Sequence, residues 1–218
     1  MWKRNGLSIV LFAMFLFTFA AQALTGFKEH NKDELAHGRD AVPMSVYLTS
    51  GHFWEATGEN WESEFLQMAL FVILTTFLYQ RGSAESKRVD TIEEVDLDPR
   101  EFSKQEDVPG PVRRGGWRLR LYEHSLGLAF LILFLLSFSI HAVGGLAEYN
   151  DEQEAHRQPQ VTLARYVSTD RFWFESFQNW QSEFLSLAAM VVGTIFLRQR
   201  GSAESKPVHA PHSETGKA

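Results

Sequence analysis

Apolar residues along this chain gather in four runs, Leu7–Leu24, Phe65–Tyr79, Leu126–Val143 and Phe184–Leu197, and the charged residues lie between them. The first run has only Ser8, Thr18 and Gln22 as polar members. A helix over it spans about 27 Å, close to the ~30 Å hydrocarbon core of a bilayer. The third run is equally apolar. The second and fourth reach spanning length only if their helices begin near Trp61 and Trp180. Asn60 and Asn179 suit N-caps there, and Glu62 suits the positive helix end. The pattern predicts four transmembrane helices.

The runs are copies. Displaced by 119 positions, the offset from Lys87 to Lys206, Leu7–Lys87 falls on Leu126–Lys206 without a gap and with roughly 40% identity. Gln80–Lys87 returns letter for letter as Gln199–Lys206, and Asn60-Trp61-x-Ser63-Glu64-Phe65-Leu66 returns at Asn179–Leu185. The expected fold is an all-α membrane protein: four transmembrane helices as a tandem duplication of a two-helix hairpin, with interfacial helices in the outer loops. Residues 1–87 form the first hairpin repeat, 88–117 a charged cytoplasmic linker, 118–206 the second repeat and 207–218 a disordered tail. The first run also fits a secretory signal peptide, with Lys3 and Arg4 before it and Ala21-Gln22-Ala23 at its end. Its repeat partner Leu126–Val143 cannot be one, which favours retention.

Basic residues set orientation. Lys3, Arg4, Arg81, Lys87, Arg88, the Arg113–Arg120 cluster, Arg198 and Arg200 share one side, whereas the Gly26–Asn60 and Gly145–Asn179 loops hold about twice as many acids as bases. Both termini and the linker are therefore expected in the cytoplasm. Two spans per copy leave the copies pointing the same way, about a pseudo-two-fold axis along the membrane normal. In the outer loops Trp173, Phe177 and Trp180 share a helical face, and Trp54, Trp61, Tyr47 and Tyr166 accompany them. They predict a short interfacial helix turning into the following span; a partner-binding groove is the alternative.

Average composition, 44% hydrophobic with a net charge of −6, suggests a soluble protein and is overridden by this clustering. The chain has no cysteine, which excludes disulfides and thiolate metal sites. No segment is strongly basic with interleaved aromatics, so nucleic acid is not an expected partner.

Glu64 and Glu183 are the strongest polar candidates, each about one turn inside its expected span. The antiparallel neighbour offers Gln22 in the first copy and His141 in the second, predicting Gln22–Glu64 and His141–Glu183 contacts. The competing reading is a first-turn Glu favoured by the helix dipole. His37 and His156 are the matched histidines, with Glu29 and Glu148 upstream. Their spacing fits no familiar ligand motif, so neither metal nor cofactor is expected, and no catalytic residue is assigned. The runs carry no charge at mid-depth, which disfavours a monomeric transporter. Arg81-Gly82 has a role as a snorkelling base and helix stop, but the spelling of the rest of the block has no evident cause.

The Lys3–Gly6 start, the Asn-Trp-x-Ser-Glu-Phe-Leu segments and the Gln-Arg-Gly-Ser-Ala-Glu-Ser-Lys endings together resemble an uncharacterised family of small bacterial multi-pass membrane proteins, a domain-of-unknown-function family. The resemblance implies the bacterial inner membrane and brings no substrate, cofactor or catalytic residue. The expected function is that of a non-catalytic integral membrane protein acting through the lipid bilayer, a membrane-protein partner or a homo-oligomer. The alternative is a small oligomeric transporter or channel with Glu64 and Glu183 near its outer mouth. A membrane enzyme built on the outer-loop His and Glu residues is a third reading.

Overall fold

The structure, a computed structural model, describes residues 2–216. It is all helical, with no strand among the described residues. The long helices are α1 (Trp2–Ala36), α3 (Gly51–Leu74), α6 (Ser125–Ala155) and α8 (Asp170–Phe196). Short helical turns α2 (Met44–Tyr47) and α7 (Leu163–Tyr166) precede α3 and α8, and α4 (Gly110–Arg114) and α5 (Gly116–Glu123) lead into α6. Two helices, α1 and α6, are long and apolar enough to cross a membrane. No residue of α1 is buried.

The start of α3 and α8 differs from expectation. Both helices begin well before Asn60 and Asn179, which are interior residues rather than N-caps. Asn60 Nδ2 donates to the Ala56 carbonyl at 2.7 Å and Asn179 Nδ2 to the Glu175 carbonyl at 3.1 Å, the back-bonding of a polar residue inside a helix. No proline interrupts Gly51–Trp61 or Asp170–Trp180, so the aromatic stretches join the helices that follow. The expected interfacial helices are thus the first turns of α3 and α8. Glu64 and Glu183 accordingly sit about four turns in, beyond the reach of the helix N-terminus.

The described chain divides into two compact units, Met1–Asn60 with Ser137–Phe174, and Trp61–Leu136 with Glu175–Ala218. Each unit joins segments distant in the sequence. In the first unit α3 crosses α6 at backbone contact. A Cβ on Gly144 would stand 2.5 Å from the Glu55 nitrogen, and one on Gly58 would collide with the backbone at His141. The small residues let the helices touch. Tyr166 and Phe172 are fully buried beside this crossing, with Phe138 edge-on to Phe172 at 5.4 Å.

Positions 119 apart repeat their local geometry. Asn31 exchanges two hydrogen bonds with Val42, and Asn150 does the same with Val161. Gly38 ends α1 in the left-handed region (φ 75°), and Arg157 does so after α6 (φ 55°).

The linker and tail are also structured. Lys87 pairs with Asp96, whose carboxylate is held below its ordinary range by that hydrogen bond. Residues 207–216 lie against the end of α8: Arg198 donates to the Ala210 carbonyl, and Gly216 N to the Ser83 carbonyl. Residues 217 and 218 lie outside the described residues.

Candidate functional site

The first unit holds a buried polar network where α3, α6 and the turn before α8 meet. Glu55 on α3 is buried at 7% exposure and accepts a hydrogen bond from the phenol of Tyr166 at 3.2 Å. Arg171 approaches the same carboxylate at 3.8 Å, pairs with Glu152, and lies over the Tyr149 ring. The phenols of Tyr47 and Tyr166 stand over Gly26 and Gly145, where any Cβ would displace them. A buried carboxylate is tolerable because charge-assisted partners replace its water.

On the first-copy side the same places are taken by different residues. His30 replaces Tyr149, and His52 replaces Arg171. Their rings lie 5.3 Å apart, each beside Tyr47, and His52 Nε2 is 3.6 Å from Glu29. Glu148 is near both imidazoles. Burial raises its carboxyl above the ordinary value, the two histidines oppose this, and Glu152 and Asp151 reinforce it. Burial, then Glu29 and Glu148, hold the Tyr47 phenol high as well.

In the second unit α3 and α8 meet along a polar seam. The indole of Trp180 donates to Glu62, which is fully buried, at 2.8 Å. Gln67 Nε2 donates to the Glu183 carbonyl at 2.8 Å and to Ser186 Oγ at 3.1 Å. Ser83 and Thr194 share a hydrogen bond of 3.0 Å.

The expected residues distribute as follows. Glu64 and Glu183 lie in the second unit, close enough to feel each other's charge, with Glu64 exposed. Gln22 and His141 lie in the first. The Gln22 amide donates to Thr57 at 3.4 Å, and the buried His141 ring stacks on Phe172 with 4.7 Å between centroids. His37 and His156 are exposed and contact carbonyls of their own last helical turn, Asp33 and Glu152, at 2.8 Å. They finish helices rather than gather carboxylates. No cluster of three or more His, Cys, Asp or Glu among the described residues is arranged for a metal.

Glu55 escaped the sequence reading because it favoured residues matched across the copies, and Glu62, expected near the positive helix end, is instead an interior residue of α3 that accepts from Trp180. Their counterparts are Phe174 and Gln181. The available signal was the seven-residue spacing of Glu55 and Glu62, which puts both on one face of α3.

The repeated block has a structural account. Gln80 N and Gln199 N donate to Ser86 Oγ and Ser205 Oγ, both at 2.9 Å, and each serine donates on to the following lysine carbonyl. The same turn thus closes twice, and its lysine holds different segments in the two places. Lys87 takes Asp96 of the linker. Lys206, 1% exposed, donates to the carbonyls of Gly82, Pro211, His212 and Glu214.

No curated protein and no solved structure matches the chain. A family model does, over residues 1–217, and the chain belongs to that family, the domain of unknown function DUF6766.

Proposed function

We propose that this chain is a non-catalytic integral protein of the bacterial inner membrane, acting through contacts with lipid or another membrane protein. Four helices cross as two duplicated hairpins, with both termini and the linker in the cytoplasm. The observation that carries this reading is the exposure of α1. Leu7, Val10, Leu11, Phe12, Met14, Phe15, Leu16, Phe17 and Leu24 are all exposed. Burying each such side chain is worth about 1.5–3 kcal/mol, so leaving them in water forfeits of order 10–25 kcal/mol. That equals or exceeds the whole stability of a typical domain, roughly 5–15 kcal/mol. Lipid removes the deficit. The duplication is supported by Gln67 and Ser186, equivalent positions of the two copies that meet each other, as expected beside a two-fold axis. It is supported again by the paired Asn–Val exchanges and the twice-closed block.

The absence of cysteine gives a clean test. Single cysteines at His37 and Gln158 should react with a membrane-impermeant maleimide in intact cells. Those at Asp107 and Ser213 should react only after permeabilisation. Labelling of the linker or tail in intact cells, or recovery of the chain in the soluble fraction without detergent, refutes the reading. N-terminal sequencing that found Leu24 first would remove α1 as a span.

The mutual proximity of Glu64 and Glu183 favours a second reading, an oligomeric transporter or channel. Ion flux through reconstituted protein that drops in the Glu64→Gln, Glu183→Gln double variant would establish it; no flux dismisses it.

A further inference from the structure

A cavity of about 1000 Å³ lies within the second unit, where α3 ends and α6 begins. The last turn of α3 and the residues after it supply Phe71, Ile73 and Phe77, and the first turns of α6 supply Leu126, Leu128 and Leu131. Its volume suits a small organic molecule, and these walls suit one with a largely apolar body.

The rim decides the charge of that molecule. Four carboxylates, Glu85, Glu93, Asp96 and Glu123, also line the cavity, and among the described residues Lys87 is the only Lys or Arg that does. Two of the acids are already balanced. Lys87 donates to Asp96 at 2.5 Å, and Glu93 accepts from the Arg88 nitrogen and faces its guanidinium at 4.0 Å. The exposed Glu123 carboxylate has no hydrogen-bond or ion-pair partner among the described residues. Even a protonated His124 would leave the rim negative. The two helix ends at the cavity cancel, since the C-terminus of α3 is the negative end of its dipole and the N-terminus of α6 the positive end of its own. The side chains therefore set the sign of the potential. Excess carboxylate opposes an anionic amphiphile and favours a cationic one. Phe71 and Phe77 add aromatic surface, which attracts an organic cation further.

We propose that this cavity binds a lipophilic organic monocation, an ammonium or phosphonium centre carried by an apolar body. The body packs on Ile73, Leu128 and Leu131, and the charge lies toward Glu123 and Glu85. The site needs only the α3–α6 cleft and its acidic rim, so it stands apart from the membrane reading above.

The test is equilibrium dialysis of the full chain, in a nonionic detergent, against tetraphenylphosphonium or tetraphenylborate. These ions match in size and apolarity and differ in the sign of their charge; protein-free micelles serve as the blank. Tetraphenylphosphonium should bind saturably at a single site. It should bind about tenfold or more tighter than tetraphenylborate, a ratio that about 1.4 kcal/mol supplies. Glu123→Lys, at an exposed position, should cost about tenfold in tetraphenylphosphonium affinity with an unchanged melting profile. Leu131→Trp fills the apolar floor and should lose the binding. If that variant misfolds, Glu123→Lys carries the test alone. No saturable uptake of tetraphenylphosphonium, equal affinity for the two ions, or an unmoved affinity in either folded variant overturns the site. The maleimide labelling of termini and linker is read separately, so failure of the cation site and failure of the membrane reading are distinguishable.

Discussion

Alanine in place of glycine within α6 should change sign with position. In a helix interior the exchange gains about 1 kcal/mol, because alanine loses less backbone freedom on folding. At Gly127 nothing opposes this: the new Cβ would meet Ile73 Cγ1 at 3.4 Å, ordinary contact with a movable side chain. At Gly144 it would meet the Glu55 nitrogen at 2.5 Å and the Trp54 carbonyl carbon at 2.8 Å, both backbone atoms of the crossing helix. Neither can step aside alone, so the helices must separate and Glu55 must shift against Tyr166 and Arg171. Overpacking of this kind costs about 1–3 kcal/mol, and backbone displacement puts Gly144 at the upper end. The expected result is a gain of about 1 kcal/mol for Gly127→Ala and a net loss of about 1–2 kcal/mol for Gly144→Ala. In a chain of this size the two variants should melt about 4–12 °C apart. The assay is thermal unfolding in one detergent, followed by circular dichroism. Equal shifts, or a stabilised Gly144→Ala, would refute the backbone crossing of α3 and α6.

Arg157 holds a left-handed backbone that costs a side-chain-bearing residue about 1–2 kcal/mol, so Arg157→Gly should stabilise by about 0.5–1 kcal/mol after the unfolded-state entropy is counted; a lower melting temperature contradicts this. Glu148 has a folded pKa raised above its ordinary 4.5, so its folded form binds extra proton between the two values. Stability from this group is complete below about pH 4.5 and is lost as pH rises through the folded value. Glu148→Gln should therefore match wild type near pH 4 and melt higher at pH 8, and a difference that does not grow with pH rules out burial as the cause. Lys206→Met removes the donor shared by four carbonyls and should weaken tail docking by about 2 kcal/mol or more. Carboxypeptidase should then trim residues 207–216 from that variant faster than from wild type or Lys87→Met, and equal trimming would show that the lysine does not hold the tail.

The apolar runs were legible because they need only composition, and α1 and α6 stand where the two longest runs lie. The starts of α3 and α8 were not, since hydropathy marks where oil-soluble residues begin, whereas a helix begins where the backbone first closes its hydrogen bonds. Gly51–Asn60 is polar enough to look like loop and regular enough to be helix. Matching positions 119 apart found Tyr47 with Tyr166, whose phenols stand over Gly26 and Gly145 alike. It was blind to the residues that join the copies. Glu55 faces Arg171, whereas the residue 119 positions after Glu55 is Phe174, so matching like with like passes over the pair. Were Glu55 and Arg171 both duplicated faithfully, Phe174 would be a second acid and His52 a second guanidinium. His30 and His52 stand together beside Tyr47, where the positions 119 further on hold Tyr149 and Arg171, so the two places differ in kind and a search for matched residues passes over both.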